Sequence, residues 1–110
     1  MYTWGANDSG QLGYEKETRG KANADPAPVL DLEGRKVVQV ACGYAHTLAL
    51  TADGGVYAWG CNRYGQLGHP NVGGTVSRPF AIPHFDGSDD RRVVQIAAGS
   101  RFSAALTKGE

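Results

Sequence analysis

Trp59-Gly60-Cys61-Asn62-Arg63-Tyr64-Gly65-Gln66-Leu67-Gly68 restates, with seven of ten positions identical, a stretch met 55 residues earlier: Trp4-Gly5-Ala6-Asn7-Asp8-Ser9-Gly10-Gln11-Leu12-Gly13. Downstream, Val37-Val38-Gln39-Val40-Ala41-Cys42-Gly43 returns as Val93-Val94-Gln95-Ile96-Ala97-Ala98-Gly99. His46-Thr47-Leu48-Ala49-Leu50-Thr51 returns as Phe102-Ser103-Ala104-Ala105-Leu106-Thr107, now at an offset of 56. A period this long that fills the chain is the signature of a repeat architecture and outranks any local motif. The chain divides into repeat 1, residues 1–55, which starts at the last strand of a structural unit, and repeat 2, residues 56–110, which lacks the last strand of its own.

At 110 residues the chain suits one small domain with a modest core. Eleven Lys and Arg balance eleven Asp and Glu, and no basic cluster stands out. That composition argues against direct binding to nucleic acid or to an anionic membrane. No apolar run approaches the roughly 18 residues of a membrane span. No secretory leader is read after Met1, because the repeat has already begun there, and a cytoplasmic or nuclear location is expected. Cys42 and Cys61 are too few for a disulfide scaffold and read as thiols. Sixteen glycines point to many tight turns.

Taken in order, Tyr2-Thr3-Trp4 is a short strand cut by Gly5. Gly10-Gln11-Leu12-Gly13 reads as a bend with glycines at positive φ and Leu12 as its inward anchor. Residues 14–25 are charged and patternless, so a solvated loop is expected, and Pro28 to Leu32 reads as an edge strand. Val37 to Cys42 and His46 to Thr51 alternate as strands around Gly43-Tyr44-Ala45. Asp53-Gly54 promises a primed hairpin turn before the strand Val56 to Trp59. The order then restarts: the bend Gly65-Gln66-Leu67-Gly68, an edge strand Pro79 to Pro83, a charged loop 84–92, and strands 93–98 and 102–107. No stretch carries a helical period. The fold class is all-β: about two four-stranded antiparallel blades of a partial β-propeller.

These motifs carry a resemblance. Trp59-Gly60, Asn62, Gly65-Gln66-Leu67-Gly68, Ala41-Cys42-Gly43, His46-Thr47-Leu48-Ala49-Leu50-Thr51 and Gly55-Val56-Tyr57 are similar, position by position, to the regulator of chromosome condensation repeat. The second copy departs from that pattern at Ala98, Phe102 and Ala104. The resemblance implies a seven-bladed propeller, of which this chain would hold about two blades. The expectation is therefore a piece of a larger propeller protein with its remaining blades in a longer chain. The alternative is head-to-tail self-association, the Tyr2–Trp4 strand of one copy completing the last blade of another. The motif residues Trp4, Gly5, Gly10, Gln11, Leu12, Gly13, Cys42, Gly43, His46, Trp59, Gly60, Gly65, Gln66, Leu67, Gly68 and Gly99 are read as structural.

No catalytic order, phosphate-binding loop or metal-ligand spacing is present, so neither enzymatic activity nor a cofactor or metal is expected. Asn7-Asp8-Ser9 fits a glycosylation sequon that is expected to be idle. A tryptophan chromophore, as in the plant ultraviolet-B receptor that shares this fold, is not supported. Its Gly-Trp-Arg-His-Thr segment corresponds to Gly43-Tyr44-Ala45-His46-Thr47, which has no Trp. Two functions remain. In the first, a rigid scaffold presents loops to a protein partner, with Tyr14, Glu15, Lys16, Arg19, Tyr44, Asp89, Asp90, Arg91 and Arg101 as candidate contacts. In the second, implied by the resemblance, the chain is a piece of a guanine-nucleotide exchange factor for a Ran-type small GTPase.

Overall fold

Short alternating runs separated by glycine turns fold into three antiparallel sheets. The computed structural model describes residues 1–13, 23–70 and 72–109, and of Asp89 the backbone alone. Among the described residues the strands are β1 (Tyr2–Gly5), β2 (Asn23–Pro28), β3 (Val37–Cys42), β4 (His46–Thr51), β5 (Gly55–Cys61), β6 (Thr75–Asp86), β7 (Val93–Ala98) and β8 (Ser103–Thr107). Single 3-10 turns occupy Leu30–Leu32 and Asp89–Arg91. The sheet orders are β1-β2, β3-β4-β5-β6 and β7-β8. One complete blade thus stands between two halves.

The bounds of β3, β4 and β7 are those expected from alternation. The outer strands differ. The expected edge strand at Pro28 to Leu32 lies upstream as β2, which takes in residues 23–25 of the expected loop. Val29 and Leu32 instead bracket a 3-10 turn, with Leu32 N–H donating to Val29 O at 3.1 Å. Their spacing of three places both on one face of such a turn, and both are buried. The second edge strand is longer than Pro79 to Pro83, running twelve residues as β6. It tolerates both prolines because it is outermost and needs fewer donors. The loop expected at 84–92 is part strand, to Asp86, and part 3-10 turn.

The Trp-Gly strand, expected to close its blade, is third of four, since β6 pairs outside β5. By repeat equivalence β1-β2 is an outer half-blade and β7-β8 an inner one. The turn after β4 also differs from expectation. A primed turn needs positive φ at its first central residue at least, but neither Ala52 nor Asp53, the central residues, has it; only Gly54, which follows them, does, at φ 89°. Gly54 N–H donates to Thr51 O at 2.9 Å, and Asp53 Oδ1 accepts from Gly55 N–H at 3.2 Å and from the Thr51 hydroxyl.

β4 is buried along its whole length because it is sandwiched. On one side Leu48, Leu50, Val56, Ala58 and Leu67 meet Val93 and Ile96 of the following half-blade. On the other Ala49 and Trp59 meet Val29 and Leu32 of the preceding one. Each large apolar side chain so buried contributes about 1.5–3 kcal/mol. The blades are further tied by Gln39, whose amide donates to Ile96 O at 3.1 Å and accepts from Ile96 N–H at 3.0 Å.

Candidate functional site

The described candidate contact residues hang on turns that the bends help to place, so the bends come first. In each, a fully buried asparagine holds the loop: Asn7 Oδ1 accepts from Leu12 N–H at 3.1 Å, and Asn62 Oδ1 from Leu67 N–H at 3.0 Å. Asn62 Nδ2 also donates to His69 O at 3.0 Å. With Asn7 fully buried, the sequon has no exposed amide to modify. Leu12 points inward as expected, and Leu67 does the same in the second bend.

Trp59 of the second Trp-Gly pair finds its role against the preceding half-blade. Trp59 Nε1 donates to Gln11 O at 2.8 Å, and the Thr47 hydroxyl donates to the same oxygen at 2.9 Å. The indole lies so close over the first bend that a Cβ on Gly13 would sit 2.8 Å from Trp59 Nε1. At the second bend Ser103, the counterpart of Thr47, donates its hydroxyl to Gln66 O at 2.7 Å. Trp4, in the same motif as Trp59, is 60% exposed.

His46 is nearly fully buried, its ring against Gly43, where a Cβ would be 2.0 Å from Cε1. Phe102 makes the same approach over Gly99, at 2.2 Å. The Ser103 proton is committed to Gln66 O, so His46 Nε2 is the donor in its 3.1 Å hydrogen bond to Ser103 Oγ. Nδ1 has no hydrogen-bond partner among the described residues. Burial pushes the imidazole below its ordinary value, against a smaller opposing effect from the Phe102 backbone.

Those candidate contact residues that are described fall at two opposite ends of the sheets. At one end the turns 43–45 and 99–102 and the bend 62–68 converge, with Tyr44 N–H reaching Ser100 O at 3.4 Å. Tyr44 is 85% exposed, and the Arg101 guanidinium carbon lies 4.8 Å from the Tyr64 ring centroid. Tyr64, half exposed, belongs to this cluster and was not singled out from sequence. Its counterpart in the first copy is Ser9, so the repeat itself gave no signal.

Asp89, Asp90 and Arg91 lie at the other end, beside the turn 52–55, about 20 Å away by the rise of a six-residue strand. There Arg92 Nη1 donates to Asp53 O at 2.6 Å. The Thr51 hydroxyl and then the Gly55 N–H hold Asp53 below the ordinary carboxylate value, and the Ser88 backbone does the same for Asp86. Tyr14, Glu15, Lys16 and Arg19 lie outside the described residues. Among the described residues no three His, Cys, Asp or Glu converge as a metal site, and no helix is long and apolar enough to cross a membrane.

Comparison with known proteins agrees with this geometry. The family model described as regulator of chromosome condensation (RCC1) repeat matches residues 1–50 and 53–106, and a second model of that repeat matches 37–66. The chain is 38% identical to the RCC1 domain-containing protein RUG3, mitochondrial, of Arabidopsis thaliana, over 99% of this chain and 23% of that protein. It is 39% identical to the RCC2 homolog of Danio rerio, over 94% and 19%. With the E3 ubiquitin-protein ligase HERC2 of Homo sapiens it shares 41% identity, over 98% and 2%. Among solved structures, Prp20p of Saccharomyces cerevisiae superposes with a TM-score of 0.79 at 32% identity, covering 96% of this chain and 25% of that one. Human WBSCR16 follows at 0.77 and 29%, covering 97% and 26%. The chain thus spans about a quarter or less of each of these proteins. It belongs to the regulator of chromosome condensation repeat family.

Proposed function

We propose that this chain is a non-catalytic β-propeller repeat module that mediates protein–protein interaction as part of a larger propeller. The observation that carries the reading is the cluster of Tyr44, Tyr64 and Arg101 on short turns at one end of the sheets. Aromatic and arginine side chains on a rigid frame lose little entropy on binding and dominate interface energetics. Tyr14, Glu15, Lys16 and Arg19, which follow the first bend in sequence, are proposed to extend this surface. Asp89, Asp90 and Arg91 form a second, opposite one. With a formal charge of zero, the surface is suited to a protein rather than to nucleic acid or membrane. One relative is named as mitochondrial, so the cytoplasm and nucleus are not the family's sole setting.

The test is quantitative capture of a partner identified by the wild-type chain, repeated with the double variant Tyr44→Ala, Arg101→Glu. Binding is expected to fall at least tenfold with thermal unfolding unchanged. Undiminished binding, with Asp90→Lys and Arg91→Glu also in place, would sink the reading.

A second reading, exchange factor for a Ran-type GTPase, is favoured by the similarity to Prp20p, a protein described with binding properties to Gsp1p and histones. Release of labelled GDP from such a GTPase, measured with the propeller that carries these residues, tests it. No acceleration over the spontaneous rate removes it.

A further inference from the structure

Arg78 pairs with Asp31, Arg92 Nη1 donates to Asp53 O, Arg35 lies over the Tyr57 ring, and Arg91 helps to hold down the Asp86 carboxyl. Arg63 and Arg101 are placed differently. Both are exposed at the end of the sheets where the turns 43–45 and 99–102 meet the bend 62–68. Neither guanidinium has a hydrogen-bond acceptor or a carboxylate partner among the described residues. Those three segments, Gly43-Tyr44-Ala45, Asn62 to Gly68 and Gly99 to Phe102, contain no Asp or Glu. Asp8 stands one bend away, on the preceding half-blade, where Gln11 Nε2 donates to its carboxylate. The formal charge of zero is an average over unlike regions, and this corner is cationic.

Exposure here does not depend on which blade stands alongside. Tyr44 is 85% exposed with the β7-β8 half-blade beside it, and its counterpart Ser100 is exposed with the complete blade beside it. Asp8, the counterpart of Arg63, is exposed although the complete blade packs on its bend through Trp59 and Ser77. Arg101 is steadied by the Tyr64 ring at 4.8 Å, which engages one face of the guanidinium and leaves its N–H edge to an acceptor.

The backbone narrows the kind of anion. In the bend, Arg63 N–H and Tyr64 N–H donate to Cys61 Sγ and Gln66 Oε1, at 3.4 and 2.9 Å. Gly65 N–H and Leu67 N–H donate to Asn62 O and Asn62 Oδ1, at 3.1 and 3.0 Å. With those amides taken, the bend offers no nest for a phosphoryl dianion. What remains are guanidinium forks and phenol hydroxyls on separate turns, which suit carboxylates spaced along a chain. Two arginines are also too few for a nucleic-acid backbone, whose binding draws on many phosphate contacts.

We propose that Tyr44, Arg63, Tyr64 and Arg101 form a docking site for an acidic segment of a partner protein, rich in Asp and Glu. This rests on the reading of the same end as an interaction surface and adds the chemistry of what it holds. Arg63 and Arg101 each pair with one carboxylate of the segment. The tyrosine rings pack on its aliphatic stems, and their hydroxyls donate to neighbouring acceptors.

The test is fluorescence anisotropy with the full chain that carries these residues and a labelled peptide of about ten residues alternating Glu and Gly. Its binding is expected to be at least about tenfold tighter than that of a Ser-Gly peptide of equal length, and to weaken as salt rises from about 50 to about 200 mM. Arg63→Glu together with Arg101→Glu should reduce it at least about tenfold, whereas Lys36→Glu, at the other end of the sheets, should leave it unchanged. Arg101→Lys keeps the charge but loses the fork, and should fall between. All these side chains are exposed, so each variant should keep its β-sheet circular dichroism. Equal binding of the two peptides overturns the proposal, as does a double variant that holds the Glu-Gly peptide as well as wild type. Tighter binding of a Ser-Gly peptide bearing one phosphoserine, or of a single-stranded oligonucleotide of similar length, overturns it too. Partner capture by the Tyr44→Ala, Arg101→Glu variant separates the two readings. If capture is lost while no acidic preference is seen, the interaction surface stands and its acidic specificity falls.

Discussion

Asn62 closes its bend with two hydrogen bonds made where water cannot substitute. Asn62→Ala leaves Leu67 N–H and His69 O without those partners. The expected loss is about 2–4 kcal/mol, read from chemical denaturation. His46 gives a pH dependence. Burial lowers its folded-state pKa, so the unfolded chain takes up the proton first once pH drops below about 6.5. Stability present above that value should therefore decline from pH 7 towards 5. His46→Phe, which copies the packing of Phe102 on Gly99, should flatten this limb in thermal melts. Asp31, Asp53 and Asp86 are held below the ordinary carboxylate value, chiefly by Arg78, Thr51 and Ser88 respectively. Their contributions are lost only below about pH 4, so the two limbs separate.

Among the elements, the bends are the parts least tolerant of a methyl group. Gly13→Ala meets both a φ of 89° and the indole of Trp59, so the side chain has no room. Gly34→Ala, at φ 88°, meets no atom of the described residues within 4 Å and should cost about 1–2 kcal/mol of backbone strain alone. Gly13→Ala should cost more and shift the Trp59 emission to the red, whereas Gly34→Ala should leave it in place. Equal losses and unchanged spectra would refute the close approach. The inner strands were legible because Val37 to Cys42 and His46 to Thr51 alternate beside glycine turns. β2 was not, since Ala24, Asp25 and Pro26 are all exposed and bury no periodic face. The 3-10 turn was misread because Leu30 and Leu32 mimic one face of a strand, while the buried pair is Val29 and Leu32. Nor could Trp4 be told from Trp59. Each has Tyr two residues before it, Gly directly after and Asn three residues after, and the difference lies in what each one covers.

For the whole molecule, the join between blades matters more than surface charge. Arg78 reaches Asp31 with two hydrogen bonds, at 2.8 and 2.9 Å, but the pair is largely solvated, at 58% and 32% exposure. Arg78→Ala should change stability by less than about 1 kcal/mol. Gln39→Ala strips Ile96 of both side-chain hydrogen bonds at the seam, and about 1–3 kcal/mol is expected. Hydrogen exchange should quicken in β7 and β8 before it does in β3 to β5. The sequence period and the sheets are out of step by half a blade, since the turn 52–55, where one sequence copy gives way to the next, lies inside the complete sheet. That offset has a genetic consequence. A gene segment duplicated or deleted in units of one period carries an outer pair and the inner pair that follows it, so the new junction is again a β4-to-β5 hairpin. Blade number can thus change by unequal recombination without leaving a raw edge at the splice.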